Sequence, residues 1–176
     1  MRIFLIGFMG SGKTTVGRPL AGALGLHFVD MDHYLAETQH KTIGEIFEAI
    51  GESGFRALER QTLAELSLAE NTLVATGGGA PCFSDNIQTM NRAGTTIYLQ
   101  LSPEGLAARL QHGRDKRPLL RGLNDEELLS YIRTTLAQRE PFYGQARIIV
   151  DCDGYSDAQI VEKCKKAVEF MPRNTK

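Results

Sequence analysis

Long apolar runs are missing from this chain of 176 residues. No stretch approaches the roughly 20 residues needed to span a bilayer, which argues against a membrane role. Charge of one sign is missing too: 20 Lys and Arg face 21 Asp and Glu, a net charge of −1. No global field therefore draws the chain to nucleic acid or to a membrane surface. Cysteine is sparse. Cys82, Cys152 and Cys164 are odd in number and show no close pairing, which points to reduced thiols in a cytoplasmic protein. No Cys/His spacing resembles a zinc site. The N-terminus carries one Arg2 and passes straight into an apolar run and a glycine loop, without the small-residue cleavage site of a signal peptide. Internal repeats, low-complexity tracts and linkers are absent. The simplest reading is a single domain over 1–176, long enough to bury a core. With 42% hydrophobic and 23% charged residues, disorder is not indicated.

What is present begins at residue 7. Gly7-Phe8-Met9-Gly10-Ser11-Gly12-Lys13-Thr14 fits the phosphate-binding loop G-x-x-x-x-G-K-[ST]. The glycines let the backbone bend so that successive N–H groups point at one phosphate chain. Lys13 offers a mobile charge to the β and γ phosphates, and the Thr14 hydroxyl can ligate Mg²⁺. Residues 2–6 form an apolar run of strand length, and Val16, Leu20 and Leu24 recur at helical spacing. That order puts a helix N-terminus under the phosphates. A dinucleotide-binding turn shares the layout, with Gly10, Gly12 and acids about 20 residues on. Its third glycine would fall on Thr15, and it gives Lys13 and Thr14 no role.

Further apolar, β-branched runs at 27–29, 73–75, 96–101 and 147–151 alternate with helical patterns. The alternation predicts an α/β protein, a parallel sheet with helices on both faces. Capping boxes at Thr42/Glu45 and Asn124/Glu127 mark helix starts, and Ser156 caps a C-terminal helix with the stripe Ile160, Cys164, Val168. Pro19 falls inside the first helix, where it costs roughly 3 kcal/mol and forces a kink.

Four other segments carry chemistry. Asp30 and Asp32 end the second strand, and period two predicts both carboxylates on one face, suited to orienting metal-bound water and accepting a substrate proton. Gly77-Gly78-Gly79 follows the third strand, where a ligand can approach the main chain. Many phosphate-loop proteins have a metal-binding acid there; this chain has none, so metal anchoring falls on Thr14 and Asp30/Asp32. Arg56 and Glu59 share a helix face; held by Glu59, the Arg56 fork is ready for a carboxylate. Arg109, Arg114, Lys116, Arg117 and Arg121 stand against one acid, Asp115, in a stretch that reads as a flap closing over phosphates. Nucleic-acid contact is the weaker reading, because no aromatics interleave the cations. Pro141 is expected to stop the helix that carries Arg139. Cys82 lies close enough to the glycine run to border the site.

Taken together, Gly-x-x-Gly-Ser-Gly-Lys-Thr-Thr-x-Gly at 7–17, Asp30-x-Asp32, Ile43-x-x-Ile-Phe47 and Gly51-Glu52-x-x-Phe55-Arg56-x-x-Glu59 resemble shikimate kinase. Thr76-Gly-Gly-Gly79, Arg117-Pro118-Leu119-Leu120 and Arg139-x-x-x-Tyr143 complete the resemblance over nearly the whole chain. It implies transfer of the ATP γ-phosphate to the 3-hydroxyl of shikimate, by a three-layer α/β/α phosphate-loop kinase fold with a five-stranded parallel sheet in the order 2-3-1-4-5 and a mobile lid. By position, Lys13, Asp32 and Arg117 would be catalytic. Gly10, Ser11, Gly12, Lys13, Thr14, Thr15, Arg109 and Arg117 would bind ATP. Asp32, Arg56, Gly78, Gly79 and Arg139 would bind shikimate, within a substrate region over 33–60. Thr14 and, through water, Asp30 would hold Mg²⁺. The lid would span 110–123, residues 152–155 would edge the adenine pocket, and ATP and shikimate would be partners of a monomer that binds neither nucleic acid nor membrane. The chain departs from the family at His40, where Gly is frequent, and at Ala36, where an acid is frequent with Glu37 next door. A gluconate kinase and a nucleotide-binding regulator without transfer activity are the competing readings.

Overall fold

The computed structural model describes residues 1–111 and 118–171. The chain order is β1 (Arg2–Ile6), α1 (Lys13–Leu24), β2 (His27–Asp30), α2 (Met31–Gln39), α3 (Ile43–Leu66), β3 (Thr72–Ala75), α4 (Asn86–Ala93), β4 (Thr95–Gln100), α5 (Pro103–Leu110), α6 (Asp125–Tyr143), β5 (Ile148–Asp151) and α7 (Asp157–Glu169). The five strands form one parallel sheet in the order β2-β3-β1-β4-β5. Helices pack in pairs around it, α1 on α7, α3 on α4 and α5 on α6, giving the expected three-layer α/β arrangement.

The apolar runs become strands because a parallel sheet covered on both faces needs apolar residues throughout. Ile3, Phe4, Leu5 and Ile6 of β1 are all fully buried, as are Leu73 and Val74 of β3 and Ile97 and Leu99 of β4. β1 lies between β3 and β4, with Leu5 in register with Ala75 on one side and Ile97 on the other. The chain order reverses there, and α/β sheets bind ligands in the crevice beyond the carboxyl ends of the strands at such a point.

The caps read from the sequence form as expected. Thr42/Glu45, Asn124/Glu127 and Ser156/Gln159 are each reciprocal capping boxes. His40 closes α2 in the left-handed region, φ 51. Glycine reaches that region without the steric cost of a Cβ, which is why the family's frequent glycine suits this position. α3 is broken at Gly51, φ 67 and ψ −179, while Phe47 and Phe55 stack across the break at 4.1 Å.

Two readings need correction. Pro141 does not stop α6, which continues two residues further to Tyr143. β2 does not extend through Asp32: it ends at Asp30, and Asp32 sits in the first turn of α2. Asp30 caps that helix, accepting from the His33 N–H at 3.3 Å, so its local carboxylate–amide bond prevails over strand continuation. α1 runs on through Pro19, on its exposed side; nothing in the structure explains that residue. Among the described residues, no helix is long and apolar enough to cross a membrane.

At the opposite end of the sheet, Arg2 donates to the carbonyls of Ala69 at 2.6 Å and Ala93 at 2.7 Å. Gly94 follows, and a Cβ there would lie 2.5 Å from the Arg2 carbonyl oxygen. Backbone cannot swing aside as a side chain can, so Gly94→Ala is expected to destabilise the protein by about 1–3 kcal/mol. A fall in the midpoint of urea unfolding measures the effect, and an unchanged midpoint contradicts it.

Candidate functional site

The phosphate loop turns directly off β1. Gly12 supplies the N-cap of α1 with φ 93, and Gly10 has φ 81, both in the region that glycine favours. A Cβ on Gly10 would also meet the Leu110 side chain at 2.7 Å. The Lys13 ammonium folds back onto the loop, donating to the Gly7 and Phe8 carbonyls at 2.9 Å each. Burial pushes the Lys13 pKa down to about 8, against the opposing pull of Asp32 and Asp30. Ser11 is buried, with no partner for its Oγ, and its carbonyl accepts from Arg109 Nη1 at 3.3 Å. Thr15 borders the same cleft.

Thr14 Oγ1 donates to Asp30 Oδ2 at 2.7 Å, so the two expected metal-side groups meet. Both are hard oxygen donors beside the phosphate loop. That fits Mg²⁺, which binds few protein oxygens, retains waters and completes its shell on substrate phosphates. Among the described residues no group of three or more His, Cys, Asp or Glu could hold a metal by itself.

The glycines after β3 organise the other half. A Cβ at Gly77 would lie 2.9 Å from both Asp32 Oδ1 and Glu59 Oε1, so two carboxylates converge where no side chain stands. Burial raises the Asp32 pKa, with Asp30 adding to it and Lys13 opposing. Glu59, only 2% exposed, is pushed up to about 7 by burial, against the Arg56 guanidinium. A Cβ at Gly78 would stand 3.2 Å from the Met9 amide and 3.7 Å from Arg139 Nη1; one at Gly79 would stand 3.3 Å from Arg56 Nη1. The two arginines thus flank adjacent residues of one loop.

Arg56 is held as a fork. Its Nη1 reaches Glu59 and its Nη2 reaches Glu52, each at 3.3 Å, and its guanidinium lies 3.7 Å above the Phe83 ring. Arg139 sits 5.4 Å over the Phe8 ring. Arg56 Nε and Arg139 Nη1 are buried without a protein partner. Such donors are expensive to leave unmade, and a bound carboxylate would satisfy them. Cys82 closes a single 3-10 turn after the glycines; burial pushes its thiol up to about 11, so it is an un-ionised neighbour at neutral pH.

The loop, Asp32, Gly78 and Arg109 share a cleft of ≈ 860 Å³, and Arg56 and Phe83 line a second one of ≈ 910 Å³. Of the expected residues, Arg117 lies outside the described residues, as does the part of the expected flap over 112–117. Asp157 was not among the expected site residues. It starts α7, borders the cleft and pairs with Arg109 at 3.6 Å. Its sequence signal, an acid in a helix's first turn, indicates only a dipole partner.

The chain is similar to known proteins along most of its length. The family model described as shikimate kinase matches residues 9–169. The shikimate kinase of Bacteroides thetaiotaomicron is 47% identical over 171 residues, which is 97% of this chain and 98% of that protein. A crystal structure of the B. thetaiotaomicron enzyme superposes with a TM-score of 0.90 at 44% identity, over 96% of this chain and 98% of that one. The structure of shikimate kinase from Acinetobacter baumannii in complex with shikimate gives 0.84 at 35% identity, over 96% and 92%.

The displaced Lys13 pKa has a calorimetric consequence. A bound triphosphate favours the charged ammonium and raises its pKa from about 8. At about pH 8.5 nucleotide binding should therefore take up protons, a fraction of one per site, whereas at about pH 6.5 Lys13 is already charged and contributes none. Titration calorimetry in buffers of different ionisation enthalpy reads this uptake. The Lys13→Met protein should show none at the higher pH.

Proposed function

The chain belongs to the shikimate kinase family, and we propose that its cleft transfers the γ-phosphate of ATP to the 3-hydroxyl of shikimate. It is an ATP-dependent kinase acting on shikimate; the regiochemistry and the assignment of individual residues are our reading. The observation that carries them is the placement of Arg139 beside Gly78 and Arg56 beside Gly79, where Gly78 also lines the cleft that holds Lys13 and Asp32.

Shikimate is a small anionic triol. Arg56 and Arg139 bind its carboxylate, using the donors left unpaired in the free protein. Gly78 and Gly79 border the ring closely because they carry no side chain. That fixes the 3-hydroxyl toward Asp32. Its oxygen attacks the γ-phosphorus, the bond from phosphorus to the bridging oxygen breaks, ADP leaves, and the hydroxyl proton passes to Asp32. Burial makes Asp32 a better proton acceptor than an exposed carboxylate. Phosphoryl transfer through a loose transition state leaves little covalent work for the protein, so positioning and charge stabilisation dominate. Lys13 leaves the loop carbonyls for the phosphates, Gly10, Ser11, Gly12, Thr14 and Thr15 line the phosphate path, and Arg109 faces the base. Thr14 and, through water, Asp30 would hold Mg²⁺, which would supply neutralisation of phosphate charge. Residues 33–60 serve as the substrate-binding region and 110–123 as the lid, bringing Arg117 onto the phosphates. We assign one kinase domain over 1–176, acting as a cytoplasmic monomer; three free cysteines agree with a reducing compartment.

A coupled ADP-release assay with shikimate and gluconate side by side tests the reading. Turnover with shikimate alone is expected. Turnover with gluconate alone contradicts the substrate assignment, and ATP binding without turnover of either leaves only a regulator. Lys13→Met should abolish turnover while the protein still folds; near-normal turnover contradicts the loop assignment. Arg139→Ala should raise the KM for shikimate by about tenfold or more, as for a lost charge-assisted contact of ~1.5–3 kcal/mol.

A further inference from the structure

Tyr143 belongs to the motif Arg139-x-x-x-Tyr143, yet the mechanism above gives it no part. It is fully buried in the last turn of α6, one helical turn after Arg139. Its hydroxyl donates to the Gly78 carbonyl at 2.5 Å. Arg139 and Cys82 lie beside that hydroxyl, and burial holds it well above the usual phenol range, so it remains a neutral donor. The ring leans on Tyr98 at 5.0 Å. Tyr98 points its own hydroxyl elsewhere, to Glu140 at 2.9 Å.

Gly78 is wedged between the phosphate loop and Arg139, and a Cβ on it would lie 3.2 Å from the Met9 amide. Its carbonyl accepts from Tyr143, and a Cβ on Gly78 would stand 3.7 Å from Arg139 Nη1, a nitrogen that is buried without a hydrogen-bond partner. Two arrangements compete. If the Gly78 peptide turned toward Arg139, its carbonyl would occupy the donor meant for the substrate carboxylate. Bonded to Tyr143 instead, the carbonyl is committed away from Arg139 and the guanidinium stays open.

We propose that Tyr143 is a positioning residue: by holding the Gly78 carbonyl it fixes the glycine loop at one wall of the substrate site and reserves Arg139 for the incoming carboxylate. The proposal rests on the assignment of Arg139 and Gly78 to shikimate binding. It accounts for the conjunction of a fully buried tyrosine, a committed carbonyl and an arginine nitrogen left without a partner.

The test is a double-mutant cycle with Tyr143→Phe and Arg139→Ala, with Tyr98→Phe as control. Tyr143→Phe keeps the ring and removes the hydroxyl. It should raise the KM for shikimate by about fivefold or more while changing the KM for ATP by less than about twofold. Added to Arg139→Ala it should cause little further rise, since the arginine it serves is gone. Tyr98→Phe, which removes a buried hydroxyl from the same ring pair without touching Gly78, should leave both constants unchanged. An unchanged shikimate KM in Tyr143→Phe, an equal rise in Tyr98→Phe, or full additivity with Arg139→Ala overturns the proposal while leaving the site assignment in place. An unchanged KM in Arg139→Ala overturns that assignment and this proposal with it. Should Tyr143→Phe fold poorly, Tyr143→Leu, which has no side-chain donor, replaces it in the same cycle with thermal stabilisation by shikimate as readout. Stabilisation equal to that of the parent protein then overturns the proposal.

Discussion

The site depends on the absence of three side chains. Gly77, Gly78 and Gly79 occupy the carboxyl end of β3 beside the phosphate loop, and each is crowded by a different functional group. Asp32 and Glu59 close on Gly77, Met9 and Arg139 on Gly78, and Arg56 on Gly79. Any Cβ at Gly77 would intrude between two carboxylates at 2.9 Å, closer than real Cβ contacts allow. The entropic cost of ordering three glycines, roughly 0.5–1 kcal/mol each relative to alanine, is offset by what their emptiness permits: acids, arginines and phosphate loop all reach one small volume.

That convergence sets the electrostatics. Lys13, Asp32, Glu59, Arg56 and Arg139 gather around the glycine and phosphate loops, where desolvation works against charge. Burial accordingly drives Lys13 down and Asp32 and Glu59 up. Internal contacts relieve part of this cost. Lys13 takes two loop carbonyls, Arg56 takes Glu59 and Glu52, and both arginines lie against aromatic faces. Relief is incomplete, because Arg56 Nε and Arg139 Nη1 stay unpaired. On the proposed assignment, an anionic substrate and a polyanionic nucleotide would supply the missing counter-charge. Binding energy is then directed to the groups that orient the reaction, rather than to apolar area.

Local signals in the sequence proved reliable where the physics is local. Strands appeared where apolar runs stood, the capping boxes formed, and the phosphate loop took its turn from glycines whose positive φ values the chain needs. The failures are competitions between local rules. Strand periodicity through Asp32 lost to the bond between the Asp30 carboxylate and the His33 amide, which starts α2 two residues earlier. Proline at 141 did not end α6, whose final turn carries the buried Tyr143 into the core. The partners across the glycine loop were legible only through family resemblance. Spacing along a chain does not say that Glu59 faces Asp32 across Gly77, nor that Asp157 pairs with Arg109. Those contacts arise from strand order, which brings β1 beside β3 and the two loops side by side.

The same logic explains the design of α3. Its second half carries Arg56 and Glu59 and then buries Leu63 and Leu66 in the core, so the guanidinium and its carboxylate ride on the most firmly anchored part of the helix. The break at Gly51 separates that half from Ile43–Ile50, where only Ile46 is fully inside. With a non-helical residue between them, the two halves are not one continuous helix, and the stacked rings of Phe47 and Phe55 bridge the break.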